Sequence, residues 1–240
     1  PPYGLMLLSA GLNKVGIATR IINLNNAVLR GCTLSNGPEE FDFDATWRQE
    51  LDEAMLDFEP DLFAVTCMFT QTHDSLAAVC AQIFERHPNV PIAIGGVHVT
   101  NALISHVTTE KLVESLPQAS LFFTHESDVS FRWFAEVVRQ DRPANELRQV
   151  AIRDGDRLVH FAGRVTPEGD ELNAIPDHNL MDPRDLSKWG KVGAYTFLRS
   201  EDTVFSTVLS NRGCRAQCTF CSVRNFNGVG VRRRSVQSVI

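Results

Sequence analysis

Nowhere in the 240 residues does an apolar run approach the roughly 20 residues a helix needs to cross a bilayer, so no transmembrane segment is expected. Positive charge is not in excess: 23 Lys and Arg against 29 Asp and Glu leave a net charge of −6. That balance lacks the electrostatic footprint of a nucleic-acid binder, and Arg232-Arg233-Arg234 is too short to serve as a basic patch. Cysteine is sparse and irregularly spaced, which excludes a secreted disulfide scaffold. There is no internal repeat and no low-complexity tract. The start at Pro1-Pro2-Tyr3-Gly4 is neither an initiator nor a signal peptide, and Ile240 falls inside what reads as a starting helix. The expectation is a fragment of a longer, cytoplasmic protein that handles a small-molecule substrate and no nucleic acid.

What is present is the composition of a globular protein, 43% hydrophobic and 22% charged. Up to about residue 140, apolar strand candidates alternate with amphipathic helix candidates, the pattern of an α/β domain on a parallel sheet. Helices are predicted over Leu5–Leu12, Thr46–Phe58, His73–Arg86 and Val129–Arg139, with Pro60 and Pro88 stopping two of them. Strands are predicted over Ile17–Leu24, Leu62–Thr66, Ile92–Ile94 and Leu121–Thr124. A doubly wound domain would open with a strand, so a further strand is expected to precede Leu5.

Beyond Pro143 the pattern changes. Val150–Arg153 and Leu158–Phe161 flank Asp154-Gly155-Asp156 and read as a hairpin. Thr166 to Lys191, with Pro167, Pro176 and Pro183, reads as an irregular linker. A buried strand over Phe205–Ser210 then opens a second unit. The domains expected are therefore 1–142, an α/β domain; 143–203, hairpin and linker; and 204–240, the beginning of another fold.

Three of the six cysteines crowd into Cys214-x-x-x-Cys218-x-x-Cys221, behind Gly213, which permits a tight turn. A loop this short can wrap one face of a 4Fe-4S cubane. With three thiolates, one iron is left without a protein ligand and open to a chelating small molecule. The alternatives are a zinc knuckle completed by a distant histidine, although CxxxC is unusual for zinc, or unrelated buried thiols. Cys32 and Cys80 have no ligand spacing and read as structural; Cys67 fits core packing and a ligand-lining role equally.

In an open parallel sheet, ligands sit beyond the carboxyl ends of the strands, which directs attention to the loops after Leu24, Thr66, Ile94 and Thr124. These loops carry Asn25, then Cys67, Met68 and Thr70, then Gly95-Gly96-Val97-His98, then Thr124-His125-Glu126. Adjacent glycines let backbone approach a bulky planar or phosphorylated ligand. His98 is equally a ligand-facing residue or a satisfied loop histidine. Glu126 is either a ligand contact or an acid favoured before a helix by the helix dipole. Gly228-Val229-Gly230 is no dinucleotide fingerprint, because the third glycine and the strand-loop-helix setting are missing.

The cysteine motif, with Phe220 before its last member, resembles that of the radical S-adenosylmethionine (SAM) superfamily. The order of Pro2-Tyr3-Gly4-Leu5, Ile21-Ile22-Asn23-Leu24-Asn25, Pro60-Asp61-Leu62, Gly95-Gly96-Val97-His98 and the Asp177–Pro183 linker resembles the class whose radical SAM domain follows a cobalamin-binding domain. The resemblance implies an α/β, Rossmann-like (flavodoxin-like) cobalamin-binding domain followed by the start of a radical SAM (β/α) barrel. It implies that Cys214, Cys218 and Cys221 hold a 4Fe-4S cluster, that Phe220 lies near SAM, and that Asn25, Thr66, Cys67, Thr70, Gly95, Gly96, His98 and Glu126 contact cobalamin. Thr124-His125-Glu126 departs from the Gly-Glu-Gly-Glu type of many relatives. No Asp-x-His-x-x-Gly sequence supplies a lower axial histidine.

The implied chemistry is reductive cleavage of SAM to a 5′-deoxyadenosyl radical, fed by an external flavodoxin or ferredoxin-type electron donor. Methyl transfer to an unactivated carbon, radical cyclisation or rearrangement would follow. The rival readings are a non-catalytic corrinoid-binding module and a methylthiotransferase; the latter is disfavoured by the lack of extra N-terminal cluster cysteines.

Overall fold

The computed structural model describes residues 2–37, 39–190 and 203–240. In chain order it runs α1 (Tyr3–Asn13), α2 (Leu24–Leu34), α3 (Phe43–Ala54), β1 (Phe63–Thr66), α4 (His73–Arg86), β2 (Ile92–Gly95), α5 (Val97–Ala102), α6 (His106–Ser115), β3 (Ala119–Phe123) and α7 (Asp128–Val138). It continues through β4 (Val150–Asp154), β5 (Arg157–Phe161), α8 (Gly169–Leu172), α9 (Pro183–Trp189), β6 (Asn211–Arg212), α10 (Val223–Asn227) and β7 (Arg232–Arg233). The chain divides into two compact units, one from residues 1–59 and 175–209, the other from 60–174 and 210–240.

The first unit is helical. Tyr3, Met6, Leu7 and Leu12 of α1 recur at helical spacing and are buried. The side chain of Asn23 accepts from the Asn26 amide and starts α2. Asp42 does the same for α3 through the Ala45 amide. Helix α2 packs on α3 and α9, and Asn26 donates to Asp185 of α9 at 2.6 Å. Arg20 ties the segment before α2 to the end of α3, bonding Asp57 at 2.5 Å and the Ala54 carbonyl at 2.6 Å. The strand expected over Ile17–Leu24 does not form: residues 17–23 have no regular structure and Leu24 opens α2. Ile17, Ile21, Ile22 and Leu24 make the segment apolar, but a strand exists only where a neighbour takes its amides and carbonyls. Instead, the Asn23 cap turns the chain into a helix.

The second unit is built on a mixed five-stranded sheet in the order β1-β2-β3-β4-β5. The first three strands are parallel, with Phe63 opposite Ile92 and Ile94 opposite Phe122. Helix α4 makes the first crossover, and α5 with α6 the second. Interior strand β2 reads Ile-Ala-Ile-Gly, as expected where both faces are covered, and its first three residues are buried. Phe122, Ile92, Ile94, Leu116, Val99 and Val129 form the innermost core. Each such side chain contributes roughly 1.5–3 kcal/mol on burial. The expected hairpin forms as β4 and β5 and joins the sheet antiparallel to β3, Phe122 lying opposite Ala151.

The stretch read as an irregular linker holds two short helices, α8 and α9, the latter capped by Asp182 with Pro183 in its first turn. Lys191, the end of that stretch, lies outside the described residues. The strand expected over Phe205–Ser210 is not regular structure. Pairing begins one residue later, where Asn211–Arg212 joins Arg233–Arg232 in an antiparallel ribbon. No closed barrel is present among the described residues. No helix among them is long and apolar enough to cross a membrane.

Candidate functional site

The carboxyl ends of β1 and β2 are locked together by backbone. The Cys67 amide donates to the Gly95 carbonyl at 2.9 Å, and the His98 amide returns to the Cys67 carbonyl at 3.2 Å. Gly96 is required there: its φ is +103°, and a Cβ would stand 2.4 Å from the Cys67 carbonyl oxygen. This strap leaves Thr66 and Thr70 exposed beside Met68 and Phe69, which are 62% and 61% exposed. Two large apolar side chains open to solvent at the ligand end of a parallel sheet are the surface a bulky planar ligand would cover.

His98 is buried at the start of α5. Its Nε2 meets Nδ1 of His73 at 3.0 Å and its Nδ1 meets the Thr70 hydroxyl at 3.2 Å. Burial, and secondarily the neighbouring His73, hold its pKa below the ordinary histidine value of 6.5. Cys67 is buried, its thiol 3.3 Å from both the Phe69 carbonyl and the Thr72 hydroxyl. Cys80 is a core thiol whose pKa is pushed up to about 12 by burial and then by Cys67, which removes it from nucleophilic chemistry. Of the residues expected together, the structure gathers Thr66, Cys67, Thr70, Gly95, Gly96 and His98. Asn25 lies exposed at the second position of α2, in the helical unit.

The loop after β3 turns sharply. His125 has φ +60°, and its amide donates to the Thr100 hydroxyl at 2.8 Å. Burial lowers the pKa of His125, against a raising contribution from its bond to the Asn225 carbonyl. Gln149, also at positive φ, donates from its side-chain amide to the Thr124 and Glu126 carbonyls and accepts from the Val165 amide. Glu126 is 4% exposed, with its carboxylate between Arg232 and Asn227 and near Arg212.

The three motif cysteines sit on the connection from β6 to β7. Gly213, at φ +85°, lets the chain pass the Gly230 carbonyl, which a Cβ would meet at 2.3 Å. Cys214 extends the ribbon by a bridge to Val229, and its carbonyl accepts from the Gly230 amide at 3.2 Å. The Cys214 sulfur accepts from the Ala216 amide at 3.4 Å, and the Cys221 amide donates to the Cys218 carbonyl at 3.2 Å. Cys214 and Cys221 are half-buried, while Cys218 is exposed. Phe220 presents its ring to solvent, 91% exposed. Among the described residues, no three His, Cys, Asp or Glu side chains converge on one ion position. In a cubane each thiolate binds its own iron, so three sulfurs need not meet at a point. A soft three-thiol set with an amide directed at one sulfur fits that group by its donor chemistry.

Sequence reading missed the arginines behind this loop. Arg212 stands two residues before the first motif cysteine and Arg232 eleven after the last, and only the fold shows them reaching Asp128 at the start of α7 and Glu126 just before it.

Comparison with known proteins places these observations in context. A model described as B12 binding domain matches residues 1–104. Among curated proteins, cytidylyl-2-hydroxyethylphosphonate methyltransferase of Streptomyces wedmorensis is 23% identical over all of this chain and 47% of its own length. The cobalamin-dependent radical SAM methyltransferase TokK of Streptomyces tokunonensis is 26% identical over 68% of this chain and 22% of its own. The chain thus spans less than half the length of the curated relatives it matches. Among solved structures, the radical S-adenosylmethionine methyltransferase TsrM from Kitasatospora setae, with cobalamin and a 4Fe-4S cluster bound, superposes with a TM-score of 0.63 at 16% identity. That match covers 99% of this chain and 42% of the other. The fold is therefore the mixed α/β architecture that this solved structure shares, and residues 1–104 match the B12 binding domain model.

Proposed function

We propose that this chain is the cobalamin-binding and cluster-binding part of a radical SAM methyltransferase that acts on a small molecule in the cytoplasm. Transfer of a methyl group to an unactivated carbon is favoured over cyclisation or rearrangement, because the curated relatives named above are methyltransferases. The observation that carries the reading is one loop with free thiols at 214, 218 and 221, in a chain whose first 104 residues match a B12-binding model.

Cys214, Cys218 and Cys221 would hold the cluster, leaving one iron for SAM, and the Phe220 backbone would border the adenine. The Ala216 amide, already directed at Cys214, would moderate the charge on that thiolate. When bound, the cluster supplies the electron that cleaves the SAM sulfonium, and cobalamin supplies the methyl group. Thr66, Thr70, Gly95, Gly96 and His98 would border the corrinoid with Cys67, while Met68 and Phe69 keep water from its face. A flavodoxin or ferredoxin-type protein would be the electron donor.

The test is anaerobic reconstitution with iron and sulfide, followed by iron analysis and electron paramagnetic resonance with and without SAM. The expected result is about four irons per chain, a spectrum altered by SAM, and loss of both in Cys218→Ala. Zinc, or no metal, in place of iron would sink the cluster assignment. Corrinoid retention without any response to SAM would reduce the chain to a corrinoid-binding module.

A further inference from the structure

The strands that bracket the cysteine loop each carry an arginine, and both arginines are committed to one short stretch of chain. Arg212 of β6 donates to both oxygens of Asp128, at 2.9 and 3.0 Å, and stands 3.7 Å from Glu126. Arg232 of β7 reaches both oxygens of Glu126 at 2.8 Å, with further bonds to the carbonyls of Asn227 and Pro167. The Asn227 side-chain amide, at the end of α10, donates to the same Glu126 carboxylate. Around this core, Arg164 holds the carbonyls of Asn225 and Phe226, and the His125 ring holds that of Asn225. All these groups belong to the sheet-containing unit.

A helix start explains only part of this. Asp128 lies in the first turn of α7, where an acid is favoured by the helix dipole alone. Glu126 lies before the helix, and its side chain is 3% exposed and turned into the arginines. A carboxylate at that depth is costly unless its charge and lone pairs are met; Arg232 of the ribbon and Asn227 beside it supply its hydrogen bonds, and Arg164 adds a nearby positive charge. Removing either end of the ribbon strands a buried charge. The pair Glu126–Arg232 therefore links the shape of the β3–α7 loop to that of the cysteine loop.

From this arrangement we infer that Glu126 is the positioning residue of the cysteine loop. By engaging the arginines of both flanking strands and the end of α10, it fixes the ribbon and thereby the spacing of the three thiols that receive the cluster. The cluster half of this statement rests on the function proposed above; the anchoring half does not.

The experiment uses the whole chain, metal-free and reduced, pulsed with iodoacetamide, with the label at each cysteine read by peptide mass spectrometry. Exposed Cys32 sets the intrinsic rate, and buried Cys80 reports any general loosening. In Glu126→Gln and in Arg232→Met, the half-buried Cys214 and Cys221 are expected to label about fivefold faster relative to Cys32, with Cys80 still protected. Their double variant is expected to raise the labelling rate by less than the product of the two single effects, because each single already breaks the Glu126–Arg232 pair. Iron retained after anaerobic reconstitution should fall by about half or more in all three.

Unchanged labelling of the triplet in a folded Glu126→Gln protein would overturn the inference. So would additive effects in the double variant, or labelling of Cys80 in parallel with the triplet. If Glu126→Gln does not fold, Arg232→Met decides alone: faster labelling of Cys214 and Cys221 with Cys80 still protected supports the anchor, while wild-type rates refute it. A wild-type chain that takes up no iron would defeat the cluster reading, yet the labelling comparison would still decide whether Glu126 positions the loop.

Discussion

His98 is held neutral by its surroundings, and that has a thermodynamic signature. Its folded pKa lies below 6.5 because burial, and then His73, disfavour the imidazolium. The unfolded chain therefore takes up a proton before the folded chain does. Stability is complete above the unfolded value and is lost as pH falls from about 6.5 toward the lowered folded value, levelling off below it. His125, also lowered, acts in the same direction. Urea midpoints between pH 7.5 and 5 should fall on acidification, and His98→Gln should flatten that fall without abolishing it. An unchanged slope in the variant would show that His98 does not titrate across folding. Some residues at this scale were legible in the sequence. Gly213 was expected to make a tight turn, and the Gly230 carbonyl beside it shows why no side chain fits. The engagement of His98 by His73 and Thr70 was not legible, because residues 25 and 28 positions apart meet only through the parallel pairing of β1 and β2.

Among the elements, α6 and β3 share an arginine that no local pattern marks. From β4, Arg153 donates to the carbonyls of Val113 and Leu116 at the end of α6 and to that of Ala119 at the start of β3. It satisfies helix-end acceptors and sets a positive charge at the negative pole of the helix. Arg153→Met keeps the apolar stem and removes every donor. The expected cost is about 2–4 kcal/mol in urea unfolding with an unchanged m-value. A loss under about 0.5 kcal/mol would mean that water replaces the guanidinium at all three carbonyls. Elements with strong periodicity were readable, as α4 shows: His73–Arg86 was predicted and observed. Elements whose existence depends on a partner were not. The apolar and β-branched residues of Ile17–Leu24 suggested a strand, but among the described residues no strand pairs with it. Helix α2 was hidden because its apolar face is thin, with only Asn26 and Ala27 buried.

Across the whole molecule, chain order and spatial order diverge. Each compact unit is assembled from two separated segments, so the chain passes between them three times. The sequence placed a boundary at residue 142, where the α/β alternation ends and the hairpin begins. In space, the strands beyond that point belong to the sheet: Val150, Ala151 and Ile152 of β4 pair with Phe123, Phe122 and Leu121 of β3. A chain ended at residue 142 would expose β3 as a flat, apolar edge and leave its outward amides and carbonyls unpaired. It would also lose Arg153 from the end of α6 and Gln149 from the Thr124 and Glu126 carbonyls. The shortened chain is therefore expected to bind a hydrophobic dye, to self-associate in size-exclusion chromatography, and to melt without a cooperative transition. A chain ending at residue 165, which retains β4, β5 and the Val165 amide that Gln149 receives, should recover monomeric behaviour at least in part. A soluble, cooperatively melting monomer from residues 1–142 would show that the hairpin is an appendage and that β3 is stable as an edge strand.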